Sequence, residues 1–212
     1  MRRISLRDGM FSNNKLELEC VIVNAAKVSR AYFSGEFDPA KLAAPTCWSS
    51  TTQTPDPDVP DEQIQSRRCM DCPQNVRGSS GAGRACRFSQ RIAVVMLDDL
   101  ERVYQIQLPA TSIFGKTVGG NMPLQNYAKF LSEHNTTAIS VVTKIYFDEA
   151  AAIPKVFFKP VRPLEEAELN LVTGLVNHPD TIEAITLPSN ERSATSSPFG
   201  IVEGYEHPTN HS

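Results

Sequence analysis

The chain lacks any long apolar run. No stretch approaches the roughly 20 apolar residues of a bilayer-spanning helix, and the opening Met-Arg-Arg-Ile-Ser-Leu-Arg-Asp-Gly has no apolar centre of a secretory signal. Both absences lead to the expectation of a cytoplasmic protein with no membrane partner. An excess of one charge is also missing. With 21 basic and 24 acidic residues the formal charge is −3, so attraction to an anionic partner has to come from local clustering. Catalytic signatures are scarce as well. There is no nucleophile elbow and no H-E-x-x-H, and His134, His178, His207 and His211 are scattered, none at ligand spacing from a cysteine. Glu165, Glu166 and Glu168 read as the solvated opening of a helix. The expectation is a protein that is not an enzyme.

What is present is concentrated between Cys47 and Arg91. Four of the five cysteines fall there: Cys47, the pair Cys69-Met-Asp-Cys72, and Cys86, with gaps of 21, 2 and 13 residues. A C-x2-C pair lets two thiolates grip one ion from a tight turn, and outer cysteines from flanking segments can complete an all-sulfur, tetrahedral site. Zinc is the expected cofactor, structural rather than catalytic because all four positions would be protein sulfur. An iron–sulfur cluster on the same thiolates is the competing reading. Cys20 stands apart in an apolar strand pattern and reads as a small core residue.

Between the cysteines the residues are too rich in Gly and Ser to form a helix or pack a core. From Ser66 to Arg91 the segment carries Arg67, Arg68, Arg77, Arg84, Arg87 and Arg91 against the single acid Asp71. A charge run is ordinarily a solvated face. Here every base is Arg, which stacks on nucleobases and forks to phosphates, and the surrounding backbone is open enough to approach phosphate oxygens. Trp48, beside a candidate ligand, is the leading stacking platform; Phe88 and Tyr104 are further candidates that could equally serve the core. Lys116 completes the basic set. Residues 110–117 (Ala-Thr-Ser-Ile-Phe-Gly-Lys-Thr) fit a loose phosphate-loop pattern, but Val-Gly-Gly-Asn-Met-Pro follows where a helix is required. A nucleotide-binding loop is therefore only a minor alternative.

Periodicity supplies the rest. Residues 15–24 alternate and then turn wholly apolar, as a strand entering a core does. Strands are expected also at 28–37, 90–97, 103–108, 140–147 and 155–158, with a hairpin turn at Asp98-Asp99. Short helices are expected at 124–134 and 164–176. The order implies an α+β, mainly β fold: an OB-like curved antiparallel sheet or barrel with two short helices and a zinc-bearing loop insertion at about residues 39–89. Other α+β sheets fit the same pattern. The core domain is placed at 1–178. Residues 179–212, polar and broken by prolines, read as a flexible tail.

Cys-Trp-Ser-Ser, then Cys-x2-Cys-Pro-x-Asn, then Gly-Ser-x-Gly-x-Gly-Arg-Ala-Cys-Arg, an apolar strand and Leu-Pro-Ala-Thr-Ser resemble zinc-containing single-stranded-DNA-binding and replication-associated proteins of tailed bacteriophages. The resemblance spans residues 45 to 160. It implies an OB-type core with a metal-bound insertion, largely sequence-independent binding of single-stranded DNA, and replication or recombination proteins as further partners. This chain departs from that plan in offering four cysteines where a histidine is usual. It also lacks a strongly acidic C-terminal segment, with five acids against Arg192 after Val176. The alternative from another class is a zinc-stabilised structural or regulatory module that contacts a protein partner.

Overall fold

In the computed structural model, which describes residues 2–7, 10–11, 16–34 and 45–186, the chain opens with three short strands, β1 (Arg2–Ile4), β2 (Leu6–Arg7) and β3 (Met10–Phe11). Then come β4 (Glu17–Ala25), β5 (Ser29–Tyr32) and β6 (Cys47–Ser49). The long strands β7 (Cys86–Met96) and β8 (Asp99–Pro109) follow, then helices α1 (Ala110–Ile113) and α2 (Leu124–Glu133). The chain continues through β9 (Val141–Phe147), β10 (Val156–Pro163), α3 (Glu166–Gly174) and α4 (Pro179–Ile185).

The sheet runs β1-β8-β7-β4-β9-β10, with β5 and β6 attached beside β7. Every pairing is antiparallel except β1 on β8. β1 and β10 end the path without pairing to each other, so the sheet is open and curved and does not close into a barrel. The β7–β8 hairpin turns at Leu97 and Asp98, because Met96 pairs with Asp99. This is one residue earlier than the Asp98-Asp99 turn expected from sequence.

Both faces of the central strands are buried. Along β4, Leu18, Cys20 and Ile22 enter one core cluster while Val21 and Val23 enter another. On β7 the same division separates Ile92, Val94 and Met96 from Ala93 and Val95. A strand covered on two sides reads as a continuous apolar run, which is the pattern seen in β4 and β7. The larger cluster is closed by α2, which supplies Leu124, Tyr127 and Leu131 at helical spacing. That helix stops at Asn135, in the left-handed region at φ 52°, while the Thr136 N–H donates back to the Leu131 carbonyl at 2.9 Å. The smaller cluster is closed by Val172 of α3 and Ala184 of α4.

The mainly-β α+β reading holds, and both expected helices form. Two more are present. α1 lies where no helix was expected, with Ser112 and Ile113 buried. α4 lies where the flexible tail was expected to begin; Thr181 and Ala184 are buried, and the Gln105 side-chain amide donates to the Ala184 carbonyl. Composition concealed this helix because its buried side is made of small residues. The expected strand end at Phe37, the start of the insertion at Pro39 and all of residues 187–212 lie outside the described residues. Among the described residues no helix is long and apolar enough to cross a membrane.

Candidate metal centre and nucleic-acid surface

β5 organises the insertion. Its Tyr32 pairs with Cys47 of β6 on one side and with Cys86 of β7 on the other, so both cysteines project to the same face of the sheet. Cys69 and Cys72 flank a single 3₁₀ turn, Cys69–Asp71, closed by the Cys72 N–H to the Cys69 carbonyl at 3.4 Å. This turn is tied down when the Cys69 N–H donates to the Gln53 carbonyl at 2.8 Å. The tie follows a tight bend in which Thr52 holds φ 66°, a strained position for a β-branched residue. Asp56 accepts from the Ser50 N–H at 2.8 Å and from the Ser50 hydroxyl at 2.9 Å.

All four cysteines are free thiols, and together they line one cavity. Cys69, Cys72 and Cys86 are buried and Cys47 is half-buried. Burial pushes the Cys86 thiol up to about 12, with Arg30 pulling the other way. Burial likewise raises Cys47, against a hydrogen bond from the Gln65 backbone. Among the described residues, no three Cys, His, Asp or Glu side chains already stand where they could hold an ion. Cys47 and Cys86 stand on either side of the intervening strand β5, about 10 Å apart at Cα from the ordinary strand spacing. In type, four thiols on one cavity, the donor set suits a thiophilic metal. Cys20 is apart from this group, fully buried in the main core, where burial pushes its thiol up to about 12.

The candidate nucleic-acid residues divide into three groups. Arg67, Arg68, Arg77 and Arg84 are exposed on the insertion, with Arg68 paired to Asp71 at 3.4 Å. Residues 78–83 form a miniature hairpin closed by the Gly78 N–H to the Gly83 carbonyl at 2.7 Å, and Gly78 requires its glycine at φ 94°. The Gly78, Ser79 and Gly83 amides are thus already hydrogen-bonded within the turn.

A second group, Trp48, Arg87, Phe88 and Arg91, lines one cleft. Register places Trp48, Ala31 and Arg87 in a row across β6, β5 and β7, on the face opposite the thiols. Arg91 and Gln107 continue that face. Arg87 is exposed and Trp48 half-buried, whereas Arg91 is buried. Phe88 lies on the thiol face, one side of its ring covered by the Arg30 guanidinium at 4.1 Å and its edge against Phe114 at 5.6 Å. These contacts give Phe88 a packing role.

The third group is dispersed. Tyr104 packs against the main core, and Lys116 is exposed on a separate turn. That turn folds back through a Val118–Asn121 bridge, and the next helix opens only at Leu124. The helix terminus a phosphate loop needs after Lys116 is therefore not at hand. Sequence reasoning missed Arg30, Phe33 and Gln107. An arginine inside an otherwise apolar strand pattern was the available signal for Arg30. No family model, curated protein or solved structure matches the chain.

Proposed function

We propose that this chain is a zinc-organised, non-enzymatic protein that binds single-stranded DNA largely without regard to sequence. The observation that carries the reading is the convergence of four free thiols from three separate segments on one cavity, directly behind a sheet surface bearing Trp48 and Arg87. Cys47, Cys69, Cys72 and Cys86 would hold the zinc, which would draw the sulfurs inward to about 2.3 Å. A four-sulfur zinc supplies no reaction chemistry; it would fix the shape of a segment with little apolar surface to bury. The strip of Trp48, Ala31 and Arg87 would offer stacking and phosphate pairing to one strand of nucleic acid, and Arg67, Arg77 and Arg84 add exposed positive charge on the insertion. An OB-like role for the curved sheet, cytoplasmic action in phage DNA replication or recombination, and contacts with other replication proteins belong to the same reading and rest on the sequence resemblance.

A second reading has its own support. Met70 and Val76, 71% and 60% exposed, put apolar surface on the thiol-bearing turns, which suits a module that docks on a protein. Titrating Trp48 fluorescence with oligo-dT and with duplex DNA at two salt concentrations separates the two. Salt-dependent quenching that favours the single strand is the expected result. No response to either nucleic acid at low salt would leave the protein-docking module as the better account.

A further inference from the structure

Arg30 is buried in a way that the exposed arginines are not. It lies on β5 and is 3% exposed. Its Nη1 donates to the Cys69 carbonyl at 3.0 Å, its Nη2 donates to Asn75 Oδ1 at 3.2 Å, and its guanidinium carbon sits 4.1 Å above the Phe88 ring. Its Nε is buried with no hydrogen-bond partner. The ion pairs among the described residues do not include it. A guanidinium held by neutral acceptors in a buried site is unfavourable unless an anion stands nearby.

The cavity that Arg30 lines supplies candidates for that anion. Cys47, Cys69, Cys72 and Cys86 share its wall, and no carboxylate lines it. Four thiolates on a divalent ion carry a net charge of about −2, which a buried site tolerates poorly without compensation. The geometry points to Arg30 as the internal countercharge of a four-thiolate metal centre. This rests on the zinc reading above and deepens it. A site with two histidine and two thiolate ligands would be neutral and would need no such cation, so Arg30 selects for the all-thiolate set. The loop arginines are exposed, and among the described residues Arg30 is the one arginine that lines the cavity.

The test uses the full chain and measures Zn²⁺ affinity by competition with a chromophoric chelator, with Co²⁺ absorption as the reporter of ligand type. The parent is expected to bind about one Zn²⁺ and to show a four-thiolate Co²⁺ spectrum. Arg30→Met keeps the length and removes the charge; its Zn²⁺ affinity falls by about 10- to 100-fold, with the Co²⁺ spectrum unchanged at saturation. Arg30→Lys keeps the charge and Asn75→Ala removes only a neutral anchor, so both stay within about threefold of the parent. If Arg30→Met binds zinc as tightly as the parent, the countercharge role is overturned and the zinc centre stands. If Arg30→Lys is as weak as Arg30→Met, the loss is one of packing and the role is again overturned. Should Arg30→Met not fold, Arg30→Lys decides alone, a loss of tenfold or more counting against the role. A parent that binds no metal overturns the centre itself, and Arg30's role with it.

Discussion

Trp48 and Cys47 are adjacent in sequence and project to opposite faces of β6, because successive strand residues alternate. That single step turns the proposed metal ligand and the proposed stacking platform to opposite sides of the strand, although Trp48 also forms part of the thiol cavity's wall. It follows that Trp48→Ala leaves the zinc content intact while weakening oligo-dT binding by about 1–3 kcal/mol with little change in salt slope. Arg87→Ala or Arg77→Ala acts differently, lowering the slope of log affinity against log salt by somewhat under about one unit each. Parallel titrations of the three variants at several salt concentrations distinguish the effects. Unchanged slopes in both arginine variants would make those side chains solvated surface. Cys20 provides the contrast among the thiols. Buried at 0% exposure in the main core, it is expected to keep zinc when changed to Ser while losing about 1–3 kcal/mol of stability to a buried hydroxyl. Cys69→Ser or Cys72→Ser should lose the metal. Metal analysis beside urea denaturation reads both, and zinc loss from the Cys20 variant would mean the wrong four ligands were chosen.

Among the elements, α3 carries the clearest electrostatic device. Arg162 at the end of β10 donates to both oxygens of Glu168, at 2.7 and 2.8 Å, and Glu168 also accepts from the Glu165 N–H in a capping box. The Arg162 hydrogen bonds hold the Glu168 carboxyl down from the ordinary 4.5 to about 2. A depressed carboxylate contributes stability that is complete above the ordinary value and lost as pH falls through the folded one. The melting-temperature advantage of the parent over Glu168→Gln should therefore be full above pH 4.5 and fade towards pH 2. Acid release of metal affects both proteins and cancels in the difference. A pH-independent difference would sink the assignment. α4 makes a second test. Ending the chain after Asn177 removes α4's share of the cover over Val21, Ala93 and Val95, with Val172 of α3 still in place, and leaves the Gln105 amide without the Ala184 carbonyl. A loss of about 2–4 kcal/mol is expected in thermal or urea unfolding. Ending it after Pro188 retains α4, and oligo-dT affinity should be unchanged or slightly higher. A large loss of affinity there would show that the final residues take part in binding.

For the whole molecule, two bodies of structure depend on different forces. The β4-β7-β8 sheet is held by apolar clusters on both faces, whereas no residue from Cys47 to Cys86 belongs to either. Removing zinc should consequently loosen the insertion and spare the sheet. Limited trypsin digestion after chelation is expected to cut first at Arg77 and Arg84, with the segment beginning at β7 persisting. Simultaneous loss of sheet and insertion would show that the metal supports the whole fold.

Local pattern was enough for the mainly-β character, for the strands at β4, β7, β8 and β9 and for the helices α2 and α3. Each depends on periodic burial or on residues near in sequence. The four thiols could be grouped from their spacing in sequence, and the fold brings all four to one cavity. Tertiary structure alone decided that the sheet stays open, because closure depends on which edges meet across the molecule. It decided that α4 docks, because a face of Thr181 and Ala184 is too small to show as amphipathic. It also placed Arg30 against the thiols and turned Trp48 and Arg87 to the opposite face, since strand register, which no composition reveals, determines which side of a sheet each residue occupies.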